Sequence, residues 1–170
     1  MTPLDLTRPK ALICAAALLL TPSAWSAPDR NDLTAAMVYR MTKFTDWPAV
    51  AFEAPESNFV ICFDQPNEVF ERLQEVELKP WRGRAVRVQP SVSASCHVAV
   101  VGEVAGSPRL QASAGAMLTV SLSPALYDSG AHVLLEFKRG RLMFSVNRSL
   151  AEQQGLSFSS EFLSLAKEVR

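Results

Sequence analysis

What the chain has little of narrows its chemistry. There are two histidines in 170 residues, His97 and His132, each inside or at the start of an apolar stretch. An imidazole so placed is more often a hydrogen-bonded structural group than a ligand or a base. No HExxH, GxSxG or glycine-rich phosphate loop occurs, and two histidines with two cysteines apt to pair make a poor metal site. One S-x-x-K match, Ser164 to Lys167, lies at the extreme C-terminus without the S-D-N or K-T-G motif that gives it meaning. No catalytic residue, metal or cofactor is therefore assigned. Charge of one sign is lacking too: 17 basic side chains meet 17 acidic ones. That balance gives no reason to expect nucleic acid or an anionic membrane as partner.

Long hydrophobic runs are also missing. The longest, ALICAAALLL over residues 11–20, falls short of the roughly 20 residues that span a bilayer. Arg8 and Lys10 before it, and the small Ala24 and Ser26 after it, make residues 1–26 a signal peptide cut after Ser26. The mature chain, 27–170, is expected to be a single exported domain, not inserted in a membrane. The leader takes Asp5, Arg8 and Lys10 with it, so 15 basic and 16 acidic side chains remain. Cysteine is scarce as well. Cys14 leaves with the leader, and Cys62 and Cys96 remain. An even count in an oxidising compartment suggests a disulfide; the alternative is two free thiols buried in adjacent strands.

What is present alternates between two periods. FVICF (59–63) and CHVAVVG (96–102) are apolar runs of the kind found in strands buried on both faces. RAVRV (84–88) and AMLTVSL (116–122) read as further strands, and 67–76 and 107–114 as helices between them. HVLLEF (132–137) and RLMFSV (141–146) flank a tight KRG turn and form an antiparallel hairpin. A capping box at 149–152 starts a short helix. Residues 159–169 form a terminal helix burying Phe162, Leu163 and Leu165 or Ala166. The expected fold is a three-layer α/β sandwich with a mixed, mostly parallel sheet, ending in an antiparallel hairpin and a C-terminal helix.

The segment AAMVYRMTKFTDWP (35–48) reads as an amphipathic helix stopped by Pro48. At 100° per residue, Leu33, Met37, Phe44 and Trp47 share one face, and Arg40 falls among them. A guanidinium there needs a partner, since stripping a charge of water costs several kcal/mol. It either pairs with a carboxylate such as Asp128 or Glu136, or rims a pocket or docking surface with Phe44 and Trp47. Trp81, set among Lys79, Arg82, Arg84 and Arg87, and Asn147 complete that candidate surface. The alternating arginines by themselves read as a solvated strand face.

These motifs, in this order, resemble the YfiR family of small periplasmic proteins from about residue 33 to 169. VYRMTKFTDWP is similar to its aromatic-Lys-aromatic-x-acidic-Trp-Pro opening. FVICF, WRGRAVRV, SCHVAVVG, MLTVSLSPALYDSGAHVLLEFKRGRLMFSVN and LSFSSEFLSLAKEV follow in family order. The resemblance implies that Cys62 and Cys96 pair. It also implies a regulator rather than an enzyme, one that binds the periplasmic sensor domain of a membrane diguanylate cyclase and represses it, lowering cyclic-di-GMP and biofilm formation. A homodimer and an outer-membrane partner that relieves the inhibition belong to the same expectation. The alternative is a periplasmic small-molecule sensor using the Arg40 and aromatic surface. Two departures stand out: no second cysteine pair follows Cys96, and Ser129-Gly130 replaces two glycines before the hairpin.

Overall fold

The computed structural model describes residues 29–74, 79–102 and 116–170. Helix α1 (Arg30–Thr42) opens on a capping box, in which the Asp32 N–H donates to Asp29 Oδ1 at 2.8 Å and the Asp29 N–H to Asp32 Oδ2 at 3.2 Å. Strand β1 (Thr45–Asp46), a 3-10 turn (Ala49–Ala51) and β2 (Phe59–Phe63) follow, then α2 (Glu68–Gln74), β3 (Val86–Gln89) and β4 (Val98–Val101). Next come β5 (Leu118–Ser121), α3 (Pro124–Asp128), the hairpin β6 (Val133–Lys138) and β7 (Arg141–Val146), and α4 (Arg148–Gln153). The described chain ends with β8 (Ser157–Phe158), α5 (Ser160–Ser164) and β9 (Glu168–Val169).

The strands form a seven-stranded sheet in the order β3-β2-β4-β5-β6-β7-β9, and β1 pairs with β8 beside it. Every pairing in the large sheet is parallel except the β6–β7 hairpin. The hairpin turn is the pair Arg139-Gly140, with φ of 51° and 74°. Positive φ at both positions gives the primed turn whose twist matches the flanking strands. On one face, Phe59, Ile61, Phe63, Val98, Val100, Leu118, Val120, Val133 and Leu135 pack with Val38 and Met41 of α1, Val69 and Leu73 of α2, and Phe162 of α5. On the other, Tyr127 of α3 packs on Ala131 and Leu134. The architecture is the expected layered α/β sandwich with a mixed, mostly parallel sheet.

Local departures have physical causes. Helix α1 buries Thr34, Ala35, Val38, Met41 and Thr42, so its inward face is not the Leu33–Arg40 stripe. The helix ends at Thr42, and Phe44 and Trp47, lying beyond it, cannot extend a 100° stripe. Arg40 consequently points to solvent. The short α4 is capped by Asn147, whose Oδ1 accepts the Leu150 N–H at 3.1 Å, and not by Ser149. The terminal helix stops at Ser164 because the chain is drawn to the sheet edge, where the Lys167 N–H donates to the Phe144 carbonyl at 2.8 Å. Leu165 is accordingly 71% exposed, while Phe162 is buried. Helix α3 was not foreseen, and the expected helix at 107–114 lies outside the described residues.

Two devices tie the buried strands together. Cys62 on β2 and Cys96, just ahead of β4, form a disulfide with their Cα atoms 5.9 Å apart. The two histidines act as side-chain acceptors at strand starts. His97 Nδ1 accepts the Val60 N–H at 3.1 Å, and His132 Nδ1 accepts the Thr119 N–H at 3.0 Å and its hydroxyl at 2.7 Å. The His132 N–H returns a bond to Thr119 Oγ1 at 3.0 Å. Each Nδ1 must be unprotonated to do this, so both rings are neutral with the proton on Nε2. Burial lowers His132 to a pKa of about 4. It does the same to His97, where the Ala51 backbone opposes the shift and Arg84 adds to it.

Replacing Cys62 by serine removes the cross-link over 34 positions and should cost roughly 3–4 kcal/mol on the chain-entropy model. Thermal melts without reductant check this, and an unchanged curve would exclude the bond. The histidines set a pH dependence. Their folded pKa lies below the unfolded value of 6.5, so the unfolded chain takes up protons first as pH falls. Their contribution is whole above pH 6.5 and is lost between there and about 4, at about 3 kcal/mol for His132 and less for His97, which solvent screens more. Urea unfolding at several pH values, with imidazole NMR titration, measures it; rings titrating near 6.5 in the folded protein would contradict it.

Candidate functional site

The residues singled out from the sequence divide among several places. Trp47 and Trp81 belong to a ring cluster at the start of β2. Trp81 is 3% exposed, stacks on Phe59 with centroids 4.2 Å apart, and donates its indole N–H to the Thr42 carbonyl at 3.2 Å. Trp47 stands edge-on to Phe59 and Trp81 at 5.2 and 5.6 Å and donates to the His97 carbonyl at 3.2 Å. Phe52 stacks on His97 at 4.6 Å, and Arg84 lies 4.1 Å over the Phe52 ring while donating to the carbonyls of Ala54 and Ser57. Arg82 lies 4.9 Å over Trp81 and pairs with Asp46 at 2.9 Å. Two of the arginines around Trp81 thus fasten loops and are not simply solvated. With these bonds made, the cluster anchors α1 and the 3-10 turn to the sheet.

The other three candidates are elsewhere. Phe44 stacks with Phe162 at 6.0 Å, in a second ring group with Phe144 and Phe158. Asn147 is spent on its cap. Arg40 is exposed and has no ion pair among the described residues. The carboxylates offered to it are taken: Asp128 by Arg170 at 3.1 Å, and Glu136 by Lys138 at 2.9 Å and Lys167 at 3.3 Å. The Lys138 ammonium is the main cause holding the Glu136 carboxyl below the usual range, with Lys167 adding and burial opposing. The five residues are therefore not gathered in one place among the described residues: Trp47 and Trp81 share one ring cluster, Phe44 lies in another, Asn147 caps α4 and Arg40 is exposed, because the helix ends before the aromatics begin.

A cleft of about 630 Å³ opens instead at the carboxyl ends of the parallel strands. Chain order reverses there: from β2 the chain moves outward to β3, then crosses back to β4 on the other side. The ends of two neighbouring strands diverge at such a point, and ligands of open α/β sheets bind in the crevice so made. Asp64 follows β2, Gly102 follows β4 and Leu122 follows β5, and all three line the cleft. Leu135, Phe137 and Leu142 give it an apolar wall, over which Arg30 sits 5.4 Å from the Phe137 ring. Across from them the Asn31 amide donates to the Glu68 carboxylate. Its described lining can bind a small ligand with both polar and apolar parts and holds no nucleophile beside a base. Among the described residues no three His, Cys, Asp or Glu side chains gather as metal ligands. Sequence reading missed this cleft, although a polar or glycine residue directly after each of two apolar runs was a signal for it.

No curated protein matches the chain. The YfiR/HmsC-like family matches residues 31–167, from the first turn of α1 to the approach of β9. Cys62, Cys96, both histidines and the hairpin fall within that span, and the chain therefore belongs to the YfiR/HmsC-like family.

Proposed function

We propose that this protein is a periplasmic signalling regulator that binds the periplasmic sensor domain of a membrane diguanylate cyclase and represses it, lowering cyclic-di-GMP. Membership of the YfiR/HmsC-like family over residues 31–167 carries the reading. The Cys62–Cys96 disulfide agrees with an oxidising compartment, and no helix among the described residues is long and apolar enough to cross a membrane. In this reading residues 1–26 direct export and are removed, and 27–170 act as one domain, as a homodimer, with an outer-membrane protein as the relieving partner. Repression of this kind needs binding surface and no chemistry. A disulfide-braced sheet buried on both faces offers a rigid surface for it.

One observation favours a second reading, a small-molecule sensor. The cleft at the strand ends combines Arg30 and Asp64 with an apolar wall. A ligand seated there would raise the melting temperature of the isolated protein by mass action.

The test of the leading reading is intracellular cyclic-di-GMP after deletion of the gene, and after restoring it with or without residues 1–26. A rise that only the exported form reverses supports it, and no change removes it. Arg40→Ala provides a local check. An exposed cation with no ion pair among the described residues should alter stability by no more than about 0.5 kcal/mol. A loss of repression at unchanged melting temperature then places Arg40 on the partner surface.

A further inference from the structure

The outer strand of the hairpin has a hydrogen-bonding edge that the fold leaves half covered. In β7 the carbonyls of Phe144 and Val146 face away from β6 and accept the N–H groups of Lys167 and Arg170 at 2.8 and 2.9 Å. Successive residues of a strand turn their backbone groups to opposite sides, so Leu142 turns its N–H and C=O outward as well. Strand β9, however, pairs only with Ser145 and Val146. Among the described residues nothing bonds the outward groups of Leu142. At that same end lies the hairpin turn. Arg139 and Arg141 are exposed there without an ion-pair partner among the described residues, whereas Lys138 is held by Glu136 at 2.9 Å. An open strand edge and two uncommitted guanidiniums coincide.

We propose that the outward edge of Arg141–Met143 is a docking site for an extended acidic segment of a protein partner. The segment adds to the sheet as a further strand and sets its carboxylates against Arg139 and Arg141. The proposal deepens the regulator reading, and rests on it, by stating how the partner is held. Main-chain bonds supply affinity in such strand addition, and the flanking side chains supply selectivity. The charges also exclude one competitor. Two copies of this edge would bring like charges opposite each other, which disfavours pairing and is a common guard on open edges. Glu136, the carboxylate opposite Met143 in the hairpin, does not repel an acidic strand strongly because Lys138 and Lys167 both neutralise it.

Fluorescence anisotropy with the oxidised mature chain tests this, using labelled octapeptides TVEVEVET and TVKVKVKT. The glutamate peptide should bind roughly tenfold or more tightly than the lysine peptide, with the difference shrinking as salt rises. Arg139→Glu with Arg141→Glu should reverse the preference. N-methylating one alternate set of peptide nitrogens should abolish binding, while the other set is tolerated. The protein is unaltered in that experiment, so it stands even where Leu142→Pro fails to fold. Equal binding of both peptides, no binding of either, or tolerance of both methylated sets overturns the proposal. In cells, the double charge reversal at normal protein level should raise cyclic-di-GMP as deletion does. Full repression by that variant overturns the docking edge and leaves the regulator reading standing. If deletion itself has no effect, it is the regulator reading that falls.

Discussion

Burial of the parallel strands on both faces is the constraint from which the rest of the structure follows. No residue of Phe59–Phe63, Val98–Val101 or Leu118–Ser121 is open to solvent. A backbone amide in such a place has no water to turn to and must find a partner inside the fold. The ladder supplies most of them. Ahead of β4 and β6, where the ladder leaves an amide over, the ring nitrogens of His97 and His132 complete it. That use explains why imidazoles sit so deep, and their burial keeps them from taking a proton. The same burial sets the disulfide in a small apolar group with Val60, Ala99 and Met117, on the face away from α1.

Packing on the opposite face is continuous and aromatic. The cluster from Trp47 to Trp81 joins the end of α1 and the loop after it to the first strand. The ring group around Phe162 ties α5 to β7 and to the segment after α1. Together these groups hold both chain ends of the described domain against one sheet. Arg82, Arg84 and Arg170, which from their type might have served a ligand, are engaged by rings, carbonyls and carboxylates of the chain itself.

How much of this was legible in the sequence depends on how local the cause is. The runs FVICF and RLMFSV coincide with β2 and β7, since burial and alternation are written directly into them. The turn at Arg139-Gly140 was legible for the same reason. Arg40 was misplaced because a helical period was counted past Thr42, where the helix ends. Nothing in the local pattern marks that end ahead of Pro48. The terminal helix was drawn too long because its last residues obey a tertiary pull, the open carbonyls of β7, and not their own propensity. The cleft was missed because it is made by strand order. Asp64, Gly102 and Leu122 are far apart in the chain and meet through the crossing from β3 back to β4 and the parallel pairing of β4 with β5.

A protein whose polar groups mostly serve its own fold, and whose surface retains a charged open edge and an exposed Arg40, is suited to act by contact. The most direct test of that claim puts the purified protein where it is held to work. Spheroplasts of a deletion strain, washed free of periplasm, expose the outer side of the inner membrane while the cyclase stays in place. Adding the oxidised mature protein from outside should lower their cyclic-di-GMP production in a saturable way. Production unchanged at every concentration, with the added protein still folded, would contradict repression by contact from the periplasmic side.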